Sequence, residues 1–148
     1  MHPTVERFLQ ATTADDPGAM ADCYAPEVII EMPFAPSGLY PARIEVTREQ
    51  LRERFRAGRA VRRYTGVESV RVHDTQDPEI TVIEYGLTGV MIATGEPFSL
   101  VFVMVMTIRD GLIVHTRDYT DPIAGARIAG RLPELAAALG LPESLPRA

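Results

Sequence analysis

Residues 97–120 read PFSLVFVMVMTIRDGLIVHTRDYT, and this stretch decides the fold. Asp110-Gly111 stands between two apolar segments, a strong signal for a two-residue hairpin turn. The stretch therefore predicts two long antiparallel strands, 97–109 and 112–120. In the first, Phe98, Leu100, Phe102, Met104 and Met106 fall on one side and Val101, Val103 and Val105 on the other. A strand apolar on both faces needs cover on both. The helices of one domain cover one face, so the other calls for a second subunit. A homodimer through the outer sheet face is the expectation, because large exposed apolar patches are rare.

In the second strand, Leu112, Val114, Thr116, Asp118 and Thr120 share a face, and Ile113, His115, Arg117 and Tyr119 share the other. The first set begins apolar, which turns it inward and carries Asp118 with it. A carboxylate is costly to bury without a partner. Asp118 is thus either a buried acid/base with a raised pKa or a structural carboxylate paired with a neighbouring Arg or backbone group.

Working outward, two more strands precede this pair, at 62–74 and 80–92, joined by short turns at Asp77-Pro78 and Gly95-Glu96. Ile83, Tyr85, Leu87 and Met91 share the face of the second that suits an interior. Thr47 opens a helix, with Gln50 placed to complete a capping box, Leu51 and Phe55 as its apolar side, and Gly58 as a possible end. Earlier still, Thr4 is a candidate cap for a helix carrying Val5, Phe8 and Leu9. Asp16-Pro17 starts a second helix through Met20 and Tyr24 to Ala25-Pro26. Val28 to Met32 reads as a strand, and Pro36-Ser37-Gly38 with Pro41 as an irregular loop. Glu31 interrupts that strand on the side of Ile29, so it faces inward if Ile29 is buried. Two helical pieces follow the last strand, at 122–129 and 132–140. The whole is one α+β domain, 1–148, with a flexible tail at about 142–148. It is expected to wrap a strongly curved antiparallel sheet around its N-terminal helices.

Composition narrows the function. The chain has 148 residues, 46% hydrophobic and 24% charged, with a net charge of −5. That suits a packed core and opposes a nucleic-acid groove, which needs a basic surface. The basic run from Arg48 to Arg63 is interleaved with Glu49 and Glu53 and reads as a solvated helix face. The single Cys23 excludes an intrachain disulfide and reads as a small buried hydrophobe. Three dispersed histidines offer no metal spacing, and His73 and His115 read as surface residues on strands. No Gly-rich phosphate loop stands out, so neither metal nor cofactor is expected. No apolar run is long enough for a membrane helix, and the N-terminus has no signal-peptide pattern, so a cytoplasmic location is expected.

Two segments, MADCYAPEVIIEMPFAPSG (20–38) and IRDGLIVHTRDYTDP (108–122), make the chain resemble the nuclear transport factor 2-like superfamily, in its SnoaL-like and ketosteroid isomerase-like branch. The resemblance runs over nearly the whole chain. It implies a conical half-barrel with helices closing its mouth, commonly dimeric. Arg117-Asp118-Tyr119-Thr120-Asp121 resembles the segment that carries the catalytic Asp of limonene epoxide hydrolase-like members, which puts Asp118 on that position. Phenazine-biosynthesis members point to the same place. Those hydrolases' Arg-x-Asp pair falls on Tyr85 and Leu87, and their Asn near Glu31. The ketosteroid isomerases' shuttling Asp falls on Met32 and their oxyanion-hole Tyr near Phe8.

These readings converge on a pocket for a small apolar molecule. A cofactor-free isomerase or cyclase is expected, moving a proton on an apolar carbonyl compound of secondary metabolism. Asp118 and Glu31 are the candidate acid/base pair. Phe34, Tyr64, Tyr85, Leu87, Leu100 and Phe102 are the candidate substrate contacts. A non-catalytic binder and an epoxide hydrolase with an altered relay are the alternatives.

Overall fold

The structure, a computed structural model, describes residues 1–142; the rest of the expected tail lies outside the described residues. In chain order the elements are α1 (Pro3–Thr13), α2 (Pro17–Asp22), β1 (Tyr24–Glu31), β2 (Arg43–Thr47), α3 (Arg48–Val61) and β3 (Arg62–Asp74). Then come β4 (Ile80–Met91), β5 (Pro97–Arg109), β6 (Leu112–Thr120), α4 (Pro122–Ile128) and α5 (Leu132–Ala138). The six strands form one unclosed sheet in the order β2-β1-β6-β5-β4-β3. The four-strand run and its hairpins stand where the sequence places them. At the β5–β6 turn, Asp110 (φ 50°) and Gly111 (φ 75°) both adopt the left-handed region that a tight hairpin of this kind demands.

Several local expectations change. The sheet is not wholly antiparallel, because β1 lies parallel to β6. β2 replaces the last part of the expected loop, and its alternation of Ile44 and Val46 with Arg43, Glu45 and Thr47 is the signal for it. α2 ends at Asp22, so Tyr24 opens β1 and does not close a helix. His2, not Thr4, caps α1: its Nδ1 accepts from the Thr4 amide at 3.1 Å. The Thr4 hydroxyl donates instead to the Gly111 carbonyl at 2.8 Å, pinning α1 to the β5–β6 turn. α3 carries the full Thr47–Gln50 capping box and runs past Gly58 to Val61.

The helices cover one face of the sheet. Val5 and Phe8 of α1 and Leu51 of α3 pack on Ile83, Met104, Met106 and Ile113 from the strands. Ile83, Met106 and Ile113 are fully buried, each contributing about 1.5–3 kcal/mol of burial free energy. Sheet curvature has visible causes on β3 and β4. The β3 register shifts twice, once beside Ser69 in the left-handed region, and such bulges bend a strand. Gly89 lies under the Phe98 ring, and a methyl group there would overlap that ring and the Arg63 carbonyl. On the other face Val101 is 66% exposed. No helix among the described residues is long and apolar enough to cross a membrane.

Candidate active site

Beyond the packed core, the end of β6 and the chain that follows it leave a cavity of about 470 Å³. Leu100 and Phe102 of β5 form its sheet wall, Tyr64 of β3 one side, and Met32 and Phe34 of the β1–β2 connection another. Ile128 of α4 and Arg131, which caps α5, close over it.

Asp118 lines this cavity. How it arrives there differs from the simple alternation of the sequence. Thr107 pairs with His115 and Ile108 with Ile113, which leaves Val114 without a partner. This bulge shifts the phase of the strand by one residue. Ile113 and Thr116 are therefore both fully buried, and Leu112 and Val114, expected inside, are not. From Thr116 onward the alternation resumes, and Asp118 stands opposite the buried Met104. The apolar start of β6 was a poor guide, but the residue at issue lies beyond the bulge.

One carboxylate oxygen of Asp118, Oδ1, is enclosed and has no hydrogen-bond partner; neither has the Thr116 hydroxyl two residues before it. Removal from water is the main cause that raises the Asp118 pKa to about 6, with the Thr116 hydroxyl and His115 pulling it down more weakly. No bond of acceptable geometry joins Asp118 to Thr116, so the desolvation stands largely uncompensated. Burial first, and then the charge of Asp118, hold the phenols of Tyr24 and Tyr85 well above their ordinary value, so both stay protonated beside the acid.

Residues 5–116 match the model of the SnoaL-like domain. The chain belongs to the SnoaL-like family. Its fold is that of the nuclear transport factor 2-like superfamily, on the SnoaL-like and ketosteroid isomerase-like branch. This SnoaL-like chain is 29% identical over 110 residues to an uncharacterised PhzA/B-like protein of Pseudomonas aeruginosa, covering 73% of this chain and 74% of that one. A solved structure from Bacillus subtilis, provisionally named an isomerase, superposes with a TM-score of 0.76 at 24% identity, over 86% of this chain and 91% of the other. The pinacolase BvnE of Penicillium brevicompactum gives 0.71 at 17% identity, over 93% and 95%.

Within this SnoaL-like domain the structure brings together Asp118, Tyr64, Leu100, Phe102 and Phe34 around one cavity. It does not bring Glu31 to them. Ile29 lies on the outer face of the sheet, so Glu31 does too, and its Oε2 sits 2.6 Å from His115 Nε2. The expected sharing of a proton between Glu31 and Asp118 has no geometric basis, because the sheet stands between them. Tyr85 and Leu87 also need correcting as substrate contacts. The Tyr85 ring is stacked behind Phe102 (centroids 5.2 Å, 12° between planes) and met edge-on by Phe8 at 6.4 Å. Its hydroxyl donates to Met104 Sδ at 3.3 Å. Leu87 is 2% exposed in the same core. These two positions hold the core of the domain, and no Arg-x-Asp relay stands there.

Three lining residues had no sequence signal strong enough to single them out: Tyr40, Arg62 and Arg131. Arg62 follows α3 directly, and its Nε lies 3.3 Å from the Tyr64 hydroxyl. Arg131 lies over the Tyr40 ring at 4.8 Å and donates to the Leu39 carbonyl at 3.4 Å. No group of His, Cys, Asp and Glu among the described residues has the arrangement of a metal site.

Proposed function

We propose that this protein is a cofactor-free isomerase or cyclase that moves a proton on a small, mainly apolar carbonyl compound of secondary metabolism. The observation that carries this reading is the enclosed, unpartnered carboxylate of Asp118 at the wall of an apolar cavity. A purely structural carboxylate is expected to have partners; an acid/base group benefits from having none, because desolvation brings its pKa near the working pH. The ionised carboxylate would take a proton from the carbon next to the substrate carbonyl and return it at another position. Leu100, Phe102, Tyr64, Phe34 and Met32 would hold the apolar body of the substrate. The isomerase and pinacolase names borne by proteins of like fold agree with this reading.

Solvent exchange tests it. Cyclic ketones incubated with the protein in deuterated buffer should acquire deuterium beside the carbonyl, at a rate rising with pH through about 6 as Asp118 ionises. An Asp118→Asn variant should lose that exchange. The second reading, a binder without chemistry, draws on the loss of Glu31 from the site, which leaves one convergent acid. It predicts thermal stabilisation by the same ketones with no exchange in the wild type. Water-driven opening of a terpenoid epoxide to a diol would instead point to the hydrolase reading.

The reading includes a homodimer through the outer sheet face, supported by the apolar row of Val101, Val103 and Val105. Light scattering should give twice the chain mass, and a Val101→Asp, Val103→Asp variant half that value. It also includes a cytoplasmic location.

A further inference from the structure

We infer that the substrate carries an acidic group, a carboxylate or its equivalent, held by Arg62 and Arg131 in this cavity. The inference rests on the reading of this cavity as the substrate site and names the class of molecule it takes.

Two guanidinium groups from distant parts of the chain line one cavity whose walls are otherwise largely apolar. Among the described residues neither Arg62 nor Arg131 has a carboxylate within ion-pair distance, whereas Arg43, Arg52, Arg56, Arg59, Arg71 and Arg109 each have one. Asp118 apart, one acid lines this cavity and another the small cleft that Arg62 also borders. Asp121, on the cavity rim, caps α4 by accepting from the amides of Ile123 at 2.9 Å and Ala124 at 3.3 Å. Asp15, in the small cleft that Arg62 also lines, stands 3.2 Å from Arg59 as an ion pair without hydrogen-bond geometry.

Each guanidinium is instead positioned by contacts that leave its charge unspent. Arg62 touches the Tyr64 hydroxyl, and Arg131 rests on the Tyr40 ring and one backbone carbonyl. A guanidinium has five N–H donors in a planar fork suited to a carboxylate, and these contacts use few of them. Both side chains are half-buried. A wholly neutral apolar ligand filling the cavity would strip water from these donors and give nothing back, which is unfavourable. An anionic group on the ligand would meet this charge.

Matched acids and methyl esters test this. Benzoate, 2-naphthoate and a tetralone carboxylate, each paired with its ester, are titrated calorimetrically into the full chain at pH 8. At least one acid should bind tenfold or more tightly than its ester. An Arg62→Gln, Arg131→Gln double variant should erase that preference, so that acid and ester bind within about twofold of each other. Arg→Lys at both positions should retain part of it, which separates charge from folding. Acids that bind no better than their esters, including no binding at all, would overturn the inference; so would a preference that survives the double glutamine variant. Asp118→Asn should keep the acid preference. A wild type that shows the preference but no exchange would leave only the catalytic reading in question, and one that shows exchange without the preference only this one.

Discussion

The two faces of the sheet treat the same kind of residue in opposite ways. On the outer face Glu31 is half-exposed and bonded to His115 at 2.6 Å. On the inner face Asp118 has an enclosed oxygen with no partner. Both acids interrupt strands that are otherwise rich in apolar residues, and both therefore look alike in the sequence. What separates them is which face the pleat gives them and whether another side chain has been supplied to meet the charge. An acid answered by a histidine at the surface is a structural feature. One left unanswered beside a cavity is a cost that the fold bears, and the proposed chemistry gives it a reason.

The contrast can be broken most severely by activity. Under the proposed function, Asp118→Asn should reduce deuterium exchange by about 10²–10⁴-fold, the range expected for loss of a positioned acid or base. Glu31→Gln should change it by less than about threefold. Comparable losses in both would erase the distinction between the faces.

Packing offers the next largest effect. Met106→Ala, at a fully buried site, should cost about 2–5 kcal/mol in urea unfolding. Val101→Ala, 66% exposed in the single chain, should cost less than about 0.5 kcal/mol if the chain stays monomeric. A larger loss at Val101, dependent on protein concentration, would sharpen the picture by showing the outer face covered by a second copy.

Stability against pH comes third. The Asp118 pKa is raised in the folded state to about 6 from an ordinary 3.8. The folded protein thus holds this proton more tightly than the unfolded chain. The relative stability from that proton is fully present below the ordinary value and is lost as pH rises through about 6. Asp118→Asn should therefore stabilise the protein at pH 8, by about 1–3 kcal/mol when solvent access to part of the side chain is allowed for. At pH 4 the gain should be close to nil. A variant destabilised at pH 8 would show that the carboxylate is paired after all. The smallest effect is expected on the outer face, where Glu31→Gln should cost no more than about 1 kcal/mol, as for other partly exposed pairs.

Much of this was legible in the chain itself, and the failures have physical reasons. The β5–β6 hairpin was readable because Asp-Gly is one of few pairs suited to two successive positive φ angles. The capping box at Thr47 was readable because both of its halves are local. Glu31 misled because Val28 to Met32 is apolar on both sides, so alternation alone does not say which side is buried. Only the parallel pairing of β1 with β6, a contact between residues far apart in sequence, settles it. The Val114 bulge has no local signature either. It invalidated the argument used for Asp118 without moving Asp118, since the phase is recovered at Thr116. Arg62 and Arg131 were invisible for a different reason. They lie at element ends among many arginines, and only the closing of the helices over the sheet makes them neighbours of one cavity.

The most direct measurement is the titration of the Asp118 carboxyl by carbon-13 NMR, assigned by its disappearance in Asp118→Asn. Desolvation without a partner predicts a midpoint near 6. A midpoint at or below about 4, the ordinary range for aspartate, would mean that the group is solvated or paired, contradicting the account of the inner face.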